Sequence, residues 1–274
     1  REPLADHPDG PLREIYDVSI SGDRLLVVGP ANEHTAGLQA ALVVDVADPA
    51  DPTQLGVFET DYHLHNCLVD GKLAYLCGNE MERNPLFVVD IDDPTDPQEI
   101  ARWSLLDVDP AWEPVDPLLR YLHDVWVRDG LAVLPYWDAG TWLVDVSDPT
   151  EPTFISQFGH YEPSDLNELS STEVQVEQRA LPGNAHYTAT NRTNSLLALG
   201  REGWAVDRDG DRRGPADPTR IAAWRKPDEV SFWTAQRAVD ETVIASSMGL
   251  RDALEGIWVF PDRAGQQVDR PSLE

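Results

Sequence analysis

Three histidines occupy equivalent positions in three successive segments of this chain, and their side chains are the ones best suited to chemistry. His65, His123 and His186 each open a run of β-prone residues, and His63 lies one pleat before His65 on the same face of its strand. Neutral imidazole binds zinc, copper, iron or nickel, so imidazoles brought together could hold one transition-metal ion. The pattern predicts a site for zinc, copper or iron, provided that the segments are arranged around one axis.

Carboxylate and aromatic residues stand close to this histidine column. Asp17 and Asp124 directly follow the column position in the first and third segments, where a carboxylate could complete a ligand set or orient an imidazole ring. Tyr136 and Trp137 fall in a loop between two predicted strands, and Trp233 takes the column position of the last segment. A mouth lined by these five residues would suit a small polar or cationic ligand.

A structural interpretation of the histidines stays open. A residue repeated in a repeat protein can belong to the consensus of the repeat and bond between neighbouring units, which would give a polar axial cluster without metal. The chain also has no HExxH motif, nor another fixed local spacing of histidine and carboxylate, that would mark a metal site in the linear sequence.

The elements that must position these residues are clearest between Leu122 and Phe158. This stretch reads as four short antiparallel strands, which are Asp124 to Val127, Leu131 to Leu134, Trp142 to Val146 and Thr153 to Phe158. Asp129-Gly130 separates the first two as a hairpin turn, and an Asp-Pro cluster separates the last two. Because a four-stranded sheet of this size cannot bury both of its faces alone, it requires copies of itself beside it.

Three eleven-residue segments supply those copies. They are LVVDVADPADP (Leu42 to Pro52), FVVDIDDPTDP (Phe87 to Pro97) and WLVDVSDPTEP (Trp142 to Pro152). Each has an aspartate at the end of a strand and then an Asp-Pro turn, so we assign Asp45, Asp90 and Asp145 the structural role of accepting backbone N–H groups. We interpret Trp204 to Asp207 as part of a fourth copy, and Ile257 to Phe260 as the third strand of a fifth.

This frame resembles that of the LVIVD-repeat proteins, whose repeats are understood as blades of a β-propeller. The resemblance implies an all-β fold, namely a single propeller of four-stranded antiparallel blades, and the segments favour five blades. The first strand of each blade is innermost in a propeller, so the histidine column would converge at the mouth of the central channel. The resemblance implies no single chemistry, since function resides in sites carried by a fold.

We expect one domain over residues 1–274. The blades are predicted near residues 15–60, 64–103, 121–159, 185–224 and 230–262, with insertions at 104–120 and 160–184. The second insertion could hold a short helix or an extended strand between Asp165 and Glu177.

The two cysteines fall on one predicted hairpin. A two-residue turn at Asp70-Gly71 would place Cys67 opposite Ala74, roughly 10 Å from Cys77, which is too far for a disulfide. We therefore expect two small buried thiols.

The charge of the chain is strongly acidic. Its formal net charge is −28, its pI is about 4.3, and only Lys72 and Lys226 among the 21 basic residues are lysines. This composition argues against nucleic acid as a partner, because phosphate contacts need clustered Lys and Arg. An acidic surface that prefers Arg to Lys predicts adaptation to high salt, where counterions screen self-repulsion.

Export and a binding role complete the sequence-based prediction. The chain begins at Arg1 rather than Met and contains the glycosylation triplet Asn191-Arg192-Thr193, which favours a mature product outside the cell or at its surface. No run of about 18 apolar residues occurs, so no transmembrane segment is predicted. We predict a scaffold that binds a small molecule or a surface protein. The alternative is a metal-dependent oxidoreductase or hydrolase that uses the axial histidines as ligands.

Overall fold

The computed structural model describes residues 11–32, 39–79, 82–159, 161–177, 184–190, 192, 194, 196–202, 219–225, 230–239, 242–251 and 254–259. Strands dominate this part of the chain, and the first twelve build three sheets of four antiparallel strands each. None of the helices in these ranges is long and apolar enough to cross a bilayer.

The first three sheets are meanders, in which each strand pairs with the next one in sequence. The first sheet contains β1 (Asp17–Ser21), β2 (Arg24–Pro30), β3 (Gln39–Asp45) and β4 (Thr53–Thr60). The second contains β5 (His63–Asp70), β6 (Leu73–Asn79), β7 (Leu86–Asp90) and β8 (Gln98–Trp103). The third contains β9 (Trp126–Arg128), β10 (Leu131–Pro135), β11 (Thr141–Asp145) and β12 (Thr153–Phe158).

Turn residues explain where these strands end. Arg128 pairs with Leu131, and the two residues between them, Asp129 and Gly130, have φ values of 50° and 75°. A turn with positive φ at both central positions matches the twist of its strands, which confirms the predicted hairpin. β9 begins two residues later than predicted, so His123 and Asp124 precede the strand.

The repeated aspartates terminate the third strands as predicted. Asp45, Asp90 and Asp145 each accept the backbone N–H two residues ahead at 2.8 Å. A second aspartate three residues later repeats the contact in each copy, at 2.9 Å in Asp48 and 3.0 Å in Asp93 and Asp148. These side-chain turns offer the backbone an alternative to the sheet ladder, so they end the strand.

The fourth sheet departs from simple sequence order. It contains β13 (Asn184–Thr190), β14 (Leu196–Glu202), β18 (Leu254–Val259) and β15 (Thr219–Arg225) in that spatial order. The hairpin of β16 (Val230–Val239) and β17 (Thr242–Arg251) forms a separate two-stranded sheet.

The position of β18 differs from the sequence expectation. The segment from Ile257 was expected to be the third strand of a fifth copy, whereas it lies between β14 and β15 in the fourth sheet. The residues expected to fill that place, Trp204 to Asp207, lie outside the described part of the chain. A count of five blades therefore stays a prediction.

Consecutive first strands lie side by side. β1 contacts β5, β5 contacts β9, β9 contacts β13, and β13 contacts β16. The side-chain contacts between neighbouring first strands advance in the same direction along both chains, so β1, β5, β9 and β13 begin at the same edge, which we call the mouth edge. The loops that follow second strands and both insertions also lie at this edge, whereas the hairpin turns and Asp-Pro turns lie at the opposite one.

Both insertions are folded. The first contains 3-10 turns at Leu105–Asp107, Pro110–Trp112 and Pro117–Arg120, and it buries Trp112 and Leu119 against the second and third sheets. The second contains helices α1 (Pro163–Leu166) and α2 (Ser171–Glu177), of which α2 contacts the last of these turns. The open choice between helix and strand is thus decided in favour of helix.

The predicted pairing of Cys67 was wrong by two positions. Gly71 and Lys72 form the turn, so Asp70 pairs with Leu73, and the regular ladder that follows puts Cys67 opposite Leu76. Both thiols are free and buried. Cys67 belongs to the core between the first and second sheets, and Cys77 to the core between the second and third, so the two side chains occupy opposite faces.

Candidate functional site

Two of the predicted histidines are in direct contact at the mouth edge. The Nε2 atoms of His65 and His123 lie 3.1 Å apart. His65 is on β5 near its start, and His123 directly precedes β9, so the contact joins the second and third sheets. Equivalent positions in neighbouring repeats therefore meet, as the sequence pattern predicted.

The second nitrogen of His123 fixes its tautomer. Nδ1 lies 3.0 Å from the backbone carbonyl oxygen of His186, which can only accept, so Nδ1 carries the proton. The Nε2 atom of His123 is then a lone-pair acceptor, and His65 donates to it. Burial, together with the neighbouring His186 and His65, holds the pKa of His123 well below its usual range, so the ring stays neutral.

The two other histidines of the predicted set lie beside this pair. The ring of His186 lies over that of His123, with 3.7 Å between centroids. His63 stacks on His65 at 6.0 Å and contacts Tyr16 at 5.1 Å. Within the described residues, no group of three or more His, Cys, Asp and Glu side chains is arranged to hold a metal ion.

The predicted carboxylates bond between sheets. Asp124 accepts the side-chain amide of Asn66 at 3.2 Å and the backbone N–H of Thr188 at 3.3 Å. Asp17 accepts the backbone N–H of Cys67 at 3.0 Å. Burial and then the charge of Asp17 raise the pKa of Asp124 to about 7, and burial also raises the pKa of Asp17 despite its backbone hydrogen bond.

The predicted aromatic residues separate into two groups. Trp137 stacks nearly parallel on His123 with centroids 6.3 Å apart. Tyr136 instead is fully buried between the second and third sheets, where its hydroxyl donates to the carbonyl oxygen of Asn84 at 2.9 Å. Trp233 is on β16, and its side chain lies outside the described residues.

Comparison with known proteins agrees with the repeat frame. The family model described as "LVIVD repeat" matches residues 66–104 and 120–159, which correspond to the second and third sheets. A search of curated proteins finds no match. The matched repeats and the four-stranded sheets whose first strands adjoin one another decide the architecture. The chain is a repeat β-propeller.

Two solved structures are similar to this chain. The computationally designed Ika4 protein is 9% identical, with a TM-score of 0.44 over 73% of this propeller's chain and 92% of the Ika4 chain. The β-propeller domain of Myceliophteria thermophila Cps50 (Swd1) is also 9% identical, with a TM-score of 0.40 over 69% of this chain and 49% of that one. The propeller thus spans about half the length of the second structure.

Sequence reasoning missed several residues at the mouth of the propeller. Tyr121 contacts the rings of His65 at 5.7 Å and Trp137 at 5.0 Å. It precedes His123 by the same interval at which His63 precedes His65, and this shared frame position could have identified it. Asn66 directly follows His65, and Thr188 lies two residues after His186; both bond to Asp124.

This arrangement suits ligands that can accept a lone pair from nitrogen or form hydrogen bonds. Neutral imidazole nitrogens, a phenol and an indole surround the mouth, and the two carboxylates are engaged with Asn66 and backbone groups below it. The region presents imidazole nitrogens and other hydrogen-bonding groups beside aromatic faces.

Proposed function

We propose that this propeller is a binding scaffold whose ligand face is the mouth edge, and that a transition-metal ion is the ligand held there. The observation that carries the proposal is the contact of His65 Nε2 with His123 Nε2 at 3.1 Å. The tautomer of the His123 ring is set by the His186 carbonyl oxygen. Ligating histidines commonly donate their other N–H to a backbone carbonyl in this way, which orients the lone pair toward the metal.

The separation of the two nitrogens supports this assignment. Two imidazole nitrogens bound to one tetrahedral zinc ion at its usual bond lengths lie about 3.3 Å apart. The distance of 3.1 Å between His65 and His123 is close to that value. On metal binding, the Nε2 proton of His65 would pass to solvent while Nδ1 of the same ring takes up a proton, and a small movement of the two rings would direct both Nε2 lone pairs at the ion.

A third ligand requires a change at His186. Its ring now lies over the face of His123 rather than completing a set of three nitrogens. A rotation of the His186 side chain would bring a nitrogen to the same point. We therefore propose that metal binding reorients His186 while the His65 and His123 rings shift only slightly.

Metal content tests the proposal. Protein purified without chelator or affinity tag is expected to carry about one equivalent of zinc, copper or iron, as a single site with one set of ligands requires. His123→Ala removes the central ring and is expected to abolish metal binding. Elemental analysis of both proteins is the measurement.

His63→Ala is the matched control. It removes a histidine from the same strand, but the His63 ring contacts His65 and Tyr16 rather than His123. We expect this variant to keep the metal. Sub-stoichiometric metal that is unchanged in His123→Ala would contradict the proposal.

We also propose that the propeller works in a salty environment outside the cell. The net charge of −28 and the small number of lysines support the first part, and the sequence triplet at Asn191 supports the second. Detection of the mature protein in the culture medium or at the cell surface, rather than inside cells, tests the location.

A further inference from the structure

One buried amide at the mouth edge makes no well-aligned hydrogen bond. Asn79 ends β6 and is only 7% exposed, and neither its Nδ2 nor its Oδ1 has a partner with full hydrogen-bond geometry, although the Tyr121 hydroxyl lies beside it. A buried amide in this condition is costly to the folded protein, because it has exchanged its water for one poorly aligned polar neighbour. Such a group calls for an explanation other than stability.

Asn79 lies next to the histidine site. It pairs with His63 across the β5–β6 hairpin, and residues directly opposite on antiparallel strands share a face of the sheet. Tyr121 is its polar neighbour: burial raises the pKa of that hydroxyl, and the Asn79 side chain partly offsets the rise. The Tyr121 ring in turn contacts His65 and Trp137.

A second unsatisfied donor stands at the equivalent place in the next repeat. Trp137 follows the start of β10 by the same number of positions as Asn79 follows the start of β6. The indole Nε1 of Trp137 is buried without a partner, and the residue has a φ of 42°, which is strained for a tryptophan. Strain of this kind persists where the surrounding structure enforces it, and it is concentrated at ligand sites.

These groups define the chemistry of a ligand. The amide edge of Asn79 offers one donor and one acceptor side by side, which is complementary to another amide edge, as when asparagine reads the donor–acceptor edge of adenine. The indole N–H adds a donor, and the rings of Tyr121 and Trp137 add flat apolar faces.

We propose that the mouth has a subsite for a small, planar, neutral molecule with an amide edge, such as a carboxamide or lactam, held by Asn79 and Trp137 on the Tyr121 ring. This inference rests on the proposed function in that it places an organic ligand at the same mouth edge as the metal.

Benzamide and two isosteres test the amide edge. Acetophenone replaces the amide donor by a methyl group, and benzoate replaces it by a charged oxygen, while the ring is unchanged. Calorimetric titration of the whole protein is expected to show benzamide binding at least about tenfold more tightly than either isostere, because a site built around polar groups rejects analogues that leave them unpaired. Equal affinities, or no binding of benzamide, would overturn the proposal.

Asn79→Leu separates ligand binding from a structural role. Replacing an unsatisfied buried amide by an apolar side chain of similar shape is expected to preserve or raise Tm while abolishing the preference for benzamide. Asn32→Leu is the matched control, since the Asn32 amide donates to the carbonyl oxygen of Leu12 at 3.0 Å. The control is expected to lower Tm and leave benzamide binding intact.

Two results would assign Asn79 a structural role and overturn the proposal: a fall in Tm in Asn79→Leu, or retention of the benzamide preference in that variant. Repeating the titration on His123→Ala separates this inference from the metal. Benzamide selectivity that persists in His123→Ala would show that the subsite does not depend on the metal. Natural protein that is selective for benzamide but carries no metal would remove the metal proposal alone, and natural protein that carries metal without selectivity would overturn the subsite alone.

Discussion

Asp93 shows how single residues end the strands of the propeller. Its carboxylate accepts the backbone N–H of Thr95 at 3.0 Å and the hydroxyl of the same residue at 2.7 Å. We expect Asp93→Ala to lower Tm by a few degrees, because the turn loses both bonds, and Asp93→Asn to keep most of the stability, because its amide oxygen accepts the same groups. Thermal unfolding followed by circular dichroism measures both.

The same residue gives a prediction for pH. The hydroxyl and then the backbone N–H of Thr95 lower the pKa of Asp93 from its ordinary value of 3.8. A carboxylate whose folded pKa is lowered stabilises the protein above the unfolded pKa, and this contribution is lost as the pH falls through the folded value. The stability advantage of the natural protein over Asp93→Asn should therefore shrink on acidification below pH 3.8. An advantage that stays constant down to pH 2 would contradict this assignment.

At the residue scale, the sequence predicts local contacts well and contacts between sheets poorly. The aspartate turns follow from positions two residues apart, so their role could be inferred from the repeat frame alone. The meeting of His65 and His123 could be predicted because equivalent positions converge around an axis. The environment of Asn79 could not be predicted, since its polar neighbour Tyr121 comes from another repeat.

At the scale of elements, β1 and β5 are joined by an alternating ladder of side chains. Asp17, Ser19 and Ser21 on β1 accept the backbone N–H groups of Cys67 and Val69 on β5 and of Gly71 in the turn that follows β5. Successive acceptors are two residues apart on both strands, as the period of a β-strand requires. The first strands of neighbouring sheets are thus fixed in register without a shared backbone ladder.

Ser19 tests the value of this ladder. Its hydroxyl accepts the N–H of Val69 at 2.9 Å in a partly buried place, whereas the Ser21 contact at 3.2 Å is exposed. We expect Ser19→Ala to lower the free energy of unfolding by about 1 kcal/mol, since the Val69 donor is left unpaired, and Ser21→Ala to lower it less. Urea unfolding measures both, and a larger loss in Ser21→Ala would contradict the role of the ladder.

The elements that the sequence misplaced have separate causes. The β5–β6 turn lies at Gly71 and Lys72, one residue later than the Asp70-Gly71 turn that the sequence predicts, and this shifts the pairing of Cys67 by two positions. Strand β18 pairs with β14 across more than fifty residues of chain, and no local pattern specifies that partner. Where the repeat frame is intact, as in β9 to β12, strands and turns agree with the prediction to within a few residues.

At the scale of the whole molecule, the two edges of the propeller differ in chemistry. The mouth edge carries the histidines, the aromatic rings and both insertions. The opposite edge carries the aspartates of the repeated turns, and Asp48, Asp93 and Asp148 are exposed there. The side chains of the proposed ligand face and the repeated aspartates therefore lie at opposite edges of the sheets.

Salt should stabilise this molecule. A net charge of −28 creates self-repulsion that is larger in the compact state than in the unfolded chain, and added salt screens it. We expect Tm to rise steadily as potassium chloride is increased from dilute buffer to molar concentrations. Scanning calorimetry at constant pH is the measurement, and a Tm that is independent of salt would contradict adaptation to high salt.

A variant with three fewer negative charges provides the control. Asp51, Asp96 and Glu151 hold the same position in the three turns, and all are exposed. Changing them together to Asn, Asn and Gln is expected to raise Tm in dilute buffer and to reduce its rise with salt. An unchanged salt dependence would indicate that salt acts on the protein by another route than screening of these charges.

We propose above that the histidines of successive repeats meet to hold one metal ion. The most direct test is a crystal structure of zinc-loaded protein with anomalous diffraction measured at the zinc edge. We expect one strong peak beside the Nε2 atoms of His65 and His123, about 2.0–2.1 Å from each of them, with the His186 ring turned toward the peak. The claim would be contradicted by a crystal in which zinc is absent from this point and the two Nε2 atoms still share a proton.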